Sequence, residues 1–155
     1  MSNQAKAVID TAKAQVGYKE GKNNDTKYGA WYHLNNQPWC MMFVAWCFAE
    51  AGVGSLIMKT AGCQALEAWA KKNNLTVPTA NVQAGDILLF DFSKKGISEH
   101  TGIALGYNAN THLIDTVEGN TAGDNAGSQA NGDGVYLKHR APSTVRLVVR
   151  PKWAN

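Results

Sequence analysis

The spacing of apolar positions changes once along the chain. In residues 2–16, Ala5, Val8, Ile9, Ala12 and Val16 recur at helical spacing. Ser2 is placed to cap that helix and Gly17 to end it. Residues 18–37 are polar, with Gly21, Asn23, Asn24, Gly29, Asn35 and Asn36, and read as a long loop of the kind that often carries function. From Pro38 to Glu50 nearly every position is apolar. Pro38 suits a first helical turn, where its missing N–H costs nothing, and Gly52 suits the stop. A helix with no polar face belongs in the core. A third helix is predicted over 64–72, with Leu66 and Trp69 inward and its lysines outward.

After Pro78 the period shortens, and 85–92, 100–107, 111–118, 134–140 and 145–150 read as strands. Residues 119–134, rich in Gly, Asn and Asp, read as a mobile loop between strands. Helices first and strands second, joined by hairpin-length links, predict an α+β fold: N-terminal helices packed on a C-terminal antiparallel sheet, not alternating βαβ units.

Composition narrows the setting. A chain of 155 residues is the size of one domain, expected to span 1–155, and is large enough to fold without disulfides. No apolar run approaches the ~20 residues of a membrane span, so no membrane insertion is expected. Met1-Ser2-Asn3-Gln4-Ala5-Lys6 lacks the apolar stretch of a secretory signal, which predicts a cytoplasmic start. A net charge of +3 with no basic stripe gives no reason to expect nucleic acid. The three cysteines are an odd number. On one helix, Cys40 and Cys47 would lie ~10 Å apart, too far to bridge. Free thiols are expected.

The candidate chemistry begins at Cys40. It falls at the start of the apolar helix, where the partial positive charge of a helix N-terminus favours a thiolate, the form that attacks. Cys47 lies two turns deeper, between Trp46 and Phe48, and reads as a small core residue. Cys63 also precedes a helix and is the rival nucleophile. A cysteine nucleophile needs a base, and the base needs an orienting group. His33 lies in a loop, while His112 and His139 fall within or at the ends of strands and read as exposed. His100 opens a strand. With a three-residue turn at 108–110, Tyr107 pairs with Thr111 and His100 falls opposite Glu118, within reach of its carboxylate. A two-residue turn faces His100 with Val117 instead. Asn120 is an alternative or additional orienting group.

Taken together, the motifs resemble the CHAP family of cysteine, histidine-dependent amidohydrolases and peptidases. The resemblance rests on Asn24-Asp25-Thr26-Lys27-Tyr28-Gly29-Ala30-Trp31-Tyr32, Pro38-Trp39-Cys40 with Phe43-Val44-Ala45-Trp46-Cys47, Gly85-Asp86-Ile87, His100-Thr101-Gly102-Ile103-Ala104 and Glu118-Gly119-Asn120-Thr121. It covers about residues 5–150. It implies a papain-like fold, Cys40 as nucleophile, His100 as base, and Glu118 with Asn120 as orienting groups. It also implies the peptidoglycan of Gram-positive bacteria as substrate. The activity implied first is that of an N-acetylmuramoyl-L-alanine amidase. A stem-peptide or cross-bridge endopeptidase, including the NlpC/P60 type, and an inactive wall-binding module stand as alternatives. The Asn-Asp-Thr-Lys-Tyr-Gly and Pro-Trp-Cys segments look especially like phage endolysins, which wait in the host cytoplasm and act on the wall after release.

Two features depart from the family pattern. His33 stands where many relatives have a small residue, and no wall-binding repeat follows, so targeting would fall to this surface, a separate subunit or a further region. Trp31, Tyr32, Gln37 and Trp39 are expected to line the substrate groove. Some relatives bind calcium, but around Asp25 there is no Asp-x-Asp ladder, and no cofactor is expected.

Overall fold

Ser2 fixes where the first helix begins: its hydroxyl accepts a hydrogen bond from the Ala5 amide at 3.0 Å. The computed structural model describes residues 1–124 and 127–154. Helix α1 (Asn3–Lys13) buries Ala5, Val8, Ile9 and Ala12 as one stripe. It ends earlier than the apolar spacing predicts, which leaves Val16 outside it and exposed.

The segment read as a loop, 18–37, contains a second helix, α2 (Lys27–Tyr32). Thr26 caps it by accepting from the Gly29 amide at 2.9 Å. Its six residues are too few for apolar periodicity to reveal. Around it Asn23, Asn24, His33 and Asn36 adopt positive φ, a conformation that asparagine tolerates better than most residues.

Helix α3 (Cys40–Glu50) is the hub. Eight of its eleven residues are buried. Fully burying a large apolar side chain contributes roughly 1.5–3 kcal/mol. The helix starts two residues later than predicted, so Pro38 lies outside it and Cys40 is its first residue. Helix α4 (Cys63–Lys72) buries Cys63, Leu66 and Ala70, while Trp69 is half-buried.

Six strands follow: β1 (Thr76–Val77), β2 (Ile87–Phe90), β3 (His100–Asn108), β4 (Leu113–Thr121), β5 (Gly134–Arg140) and β6 (Val145–Val149). They form one antiparallel sheet in the order β1-β6-β2-β3-β4-β5. The fold is therefore α+β, with helices before the sheet in the chain. One sheet face, with Ile87, Leu89, Ile103, Val117, Val135 and Val149, joins the helices in the main core. A smaller cluster of Leu88, Phe90, Ala104, Ile114 and Val148 contains no helical residue. No helix among the described residues is long and apolar enough to cross a membrane.

Two corrections concern the strands that carry the candidate site. The β3–β4 register is not the one the three-residue turn predicts. Asn108 pairs with Leu113, so the turn takes four residues, and a bulge follows between Ala104 and Gly106. Ile103 faces Val117, which places Glu118 beside Gly102 rather than opposite His100. The loop expected over 119–134 begins too early: residues 119–121 belong to β4 and are buried, and residues 125 and 126 of it lie outside the described residues. Gly119 has a packing reason. A Cβ there would stand 2.7 Å from Trp39 and 2.8 Å from Phe43, so only glycine lets β4 come this close to the head of α3.

Candidate active site

The site is built where α3 begins, against the start of β3 and the end of β4. The side chains of Cys40, His100 and Glu118 are buried there together. His100 Nε2 and Glu118 Oε1 are 2.9 Å apart. Glu118 is not directly across the ladder; its side chain lies over Gly102 to reach the imidazole. A Cβ on residue 102 would fall 2.4 Å from Glu118 Cγ. The sequence thus points to the right pair through the wrong register, and Gly102 is what makes the longer reach possible. Gly102→Ala should displace Glu118 at about 1–3 kcal/mol of overpacking. That corresponds to a fall in melting temperature of several degrees, at about 2–4 °C per kcal/mol for a chain of this size. A melt indistinguishable from the parent would show that the carboxylate does not depend on that gap.

Glu118 is held from three sides. Besides His100, the Thr116 hydroxyl donates to Oε2 at 2.6 Å. The Arg140 guanidinium donates through Nε to Oε2 at 2.9 Å and through Nη2 to Oε1 at 2.6 Å. Burial pushes the Glu118 carboxyl up, but His100 and Arg140 outweigh it and hold the group at about 2. Burial likewise works against a charged His100, yet bonding and charge from Cys40 and Glu118 raise it to about 9. The stacked rings of Phe90 and Phe92 lie together beside the imidazole, each with its centroid 5.8 Å away.

The Cys40 thiol is held well below its ordinary range. The leading cause is a hydrogen bond from Cys63, whose sulfur lies 3.8 Å away; His100 follows, against the opposing effect of burial. Both cysteines are the first residues of their helices, so two helix N-termini converge on the sulfur pair. Cys63 keeps its proton, its own thiol being pushed up. Of the two sulfurs, only Cys40 is also drawn down by the imidazole. His100 Nδ1 has no hydrogen bond of regular geometry even though Cys40 and His100 act on each other's protonation. The contact is loose, as such pairs often are before substrate tightens them. Cys47 is fully buried and its thiol is pushed up by burial. All three cysteines are free.

The other expected site residues divide. Asn120 is fully buried at positive φ, and among the described residues neither its Oδ1 nor its Nδ2 has a hydrogen-bond partner. Trp39 is not on a groove surface. It is completely buried, stacked on Tyr28, and donates through Nε1 to Glu20 at 2.9 Å. Trp31 and Tyr32 are half-exposed on α2 beneath the Lys59 ammonium. Trp31 lines a shallow depression with Ala45, Ala49 and Ile57, along the body of α3 and not at its head. Gln37 is exposed on the segment entering α3. His33, His112 and His139 are all exposed. Asp25 offers one carboxylate, which accepts from Asn35 Nδ2 at 2.7 Å.

The fold and this cluster define an α+β protein with a thiol at a helix head, activated beside an imidazole–carboxylate pair. The CHAP domain family matches residues 31–120, a span that contains Cys40, His100, Glu118 and Asn120. The chain belongs to that family. No curated protein matches the sequence significantly. Among solved structures, the peptidoglycan hydrolase RipB from Mycobacterium tuberculosis aligns with a TM-score of 0.56 at 20% identity, covering 95% of this chain and 64% of that one. The P60 domain of an antigen from M. avium subspecies paratuberculosis aligns with a TM-score of 0.54 at 17% identity, covering 95% of this chain and 93% of that one. Ly7917 aligns at 0.56 and 14% identity, covering 95% and 62%. At these identities the likeness is one of fold. The chain spans a little under two thirds of the length of RipB and Ly7917.

Proposed function

We propose that this chain is a cysteine-dependent peptidoglycan hydrolase of Gram-positive cell walls, and that the bond it cuts is the amide between muramic acid and L-alanine. The observation that carries the chemistry is the Cys40 thiol, drawn down at the head of α3 beside His100, which Glu118 holds at 2.9 Å. Membership of the CHAP family and a fold shared with a peptidoglycan hydrolase support the substrate class. The amidase assignment rests on the resemblance of the Pro38-Trp39-Cys40 and Asn24–Gly29 segments to phage endolysins.

In this mechanism Cys40 attacks the scissile carbonyl as a thiolate. The backbone N–H of Cys40 and the exposed Gln37 side chain serve the oxyanion. His100 passes its proton to the leaving amine, water then attacks the thioester, and His100 takes a proton from that water as Cys40 is released. Mass spectrometry of fragments released from purified walls tests the assignment. New L-alanine amino termini support the amidase. Any other new amino terminus makes the chain an endopeptidase, and binding without release makes it a wall-binding module.

The protonation pattern sets a pH window. The attacking pair needs Cys40 ionised and His100 protonated. Cys40 is lowered and His100 sits at about 9, so hydrolysis should hold through neutral pH and fall as pH rises through about 9. Initial rates of wall clearing across pH check this. A rate that only begins to rise near an ordinary thiol pKa of ~8.5 would show that the ion pair is not formed.

A further inference from the structure

The row of active-site groups extends one residue further than Cys40, His100 and Glu118. Arg140 is the last residue of β5 and is buried. Its guanidinium bonds both oxygens of Glu118, and its carbon lies 4.7 and 5.6 Å from the ring centroids of Phe92 and Phe90, which are stacked on each other beside it. Its remaining donors reach Gln129 Oε1 at 3.1 Å and Thr121 Oγ1 at 3.2 Å. Its Nε, Nη1 and Nη2 are all engaged and the side chain is only 9% exposed, so its contribution passes chiefly through Glu118. The fork geometry matters, because a planar guanidinium fixes both the position and the rotation of a carboxylate.

We propose that Arg140 is a positioning residue for the reaction: by clamping Glu118 it aims the carboxylate at His100 and balances a buried row of alternating charge that ends on Cys40. The proposal rests on the reading of Cys40 as the attacking group. In sequence along the row, the charges are negative on Cys40, positive on His100, negative on Glu118 and positive on Arg140. Remove Arg140 and the buried row carries a net negative charge. The least costly relief is to return a proton to Cys40, the end of the row, so the thiol pKa should rise. Other titratable groups around the row are few. Cys63 on α4 faces Cys40 and keeps its proton. On the far side stands Asp124, whose carboxyl is drawn down first by Lys138 and more weakly by His139 and Arg140.

The test reads Cys40 directly and needs no cell wall. The rate of alkylation by iodoacetamide is followed against pH, with the modified cysteine located by mass spectrometry, for the parent, Arg140→Met and Arg140→Lys. Wall clearing is measured on the same samples. Met matches the stem of arginine without its charge; Lys keeps the charge without the fork. In Arg140→Met the alkylation midpoint should move up by about one pH unit, a roughly tenfold slower reaction on the acid limb. In Arg140→Lys the midpoint should stay near the parent while wall clearing still falls. Should Arg140→Met fail to give a cooperative melt, Glu118→Gln/Arg140→Met removes both charges and stands in for it. In the Glu118→Gln background, loss of Arg140 should shift the midpoint by clearly less, because the carboxylate it aims is already gone. An unmoved midpoint in folded Arg140→Met, or an equal extra shift in the Glu118→Gln background, overturns the proposal. If instead Cys40 proves dispensable for wall clearing while its midpoint still responds to Arg140, it is the attacking role that fails and not the coupling.

Discussion

Cys40→Ser should eliminate wall hydrolysis, by roughly a thousandfold or more, while the protein melts close to the parent temperature. The serine hydroxyl fits the space but ionises far less readily than a thiol, so neither the helix N-termini nor His100 can turn it into an anion at neutral pH. The other cysteines provide the contrast. Cys47→Ala lies deep in α3, away from the imidazole, and should keep activity. Cys63→Ser retains a donor for the Cys40 sulfur and should keep most of it; Cys63→Ala loses that donor and should fall between. Rates of clearing of purified walls decide the matter. A dead Cys63→Ser beside an active Cys40→Ser would reverse the assignment of the two sulfurs.

Glu118→Ala should harm both stability and activity. The parent Glu118 is fully buried and bonds His100, Thr116 and Arg140. Without it Arg140 is left as a buried cation with no counter-charge, a situation that costs about 3–5 kcal/mol. At about 2–4 °C per kcal/mol, the melting temperature should drop on the order of 10 °C. The sign with pH follows from the depressed carboxyl. The stabilisation from Glu118 is full above the usual carboxylate range and is lost as pH falls through about 2. The stability gap between parent and variant should therefore narrow on acidification. Thermal melts of the two proteins from neutral to acid pH measure it; equal melting temperatures at neutral pH would mean that the row is not coupled to the fold.

The helix–sheet division and five of the six strands can be read from the chain, because each is tied to a strong local signal; Glu118 is reached only through a register that the structure corrects. An unbroken apolar run marks α3, and shortened periodicity marks the strands. What escapes is set by geometry that no local pattern encodes. The β3–β4 register depends on a bulge at Gly106, where φ is 136°, and a one-residue slip in such a hairpin changes every partner. Helix α2 is too short to show a stripe. Arg140 escapes for a different reason. In β5, Lys138 and Arg140 are charged residues of a kind that normally stays in water. The structure does the reverse: Leu137 is 52% exposed, while Lys138 and Arg140 are 2% and 8% exposed. Their burial depends on partners in the β4–β5 connection, where Lys138 Nζ meets the Ala122 carbonyl and Asp124 at 2.8 Å and Arg140 meets Gln129. Trp39 misleads in the opposite sense: an aromatic beside the reactive cysteine suggests a stacking surface, yet it fills the gap that Gly119 leaves between α3 and β4.

The charged row draws its members from α3, β3, β4 and β5, with a hundred residues of chain between Cys40 and Arg140. Contacts this distant in sequence carry a larger loop-closure entropy and slow the folding that forms them. A nascent or partly folded chain that carries α3 alone lacks both Cys63 and His100 beside the Cys40 sulfur. On the proposed mechanism, the complete set of groups that would aim this thiol at an amide exists only once the sheet has closed against the head of α3.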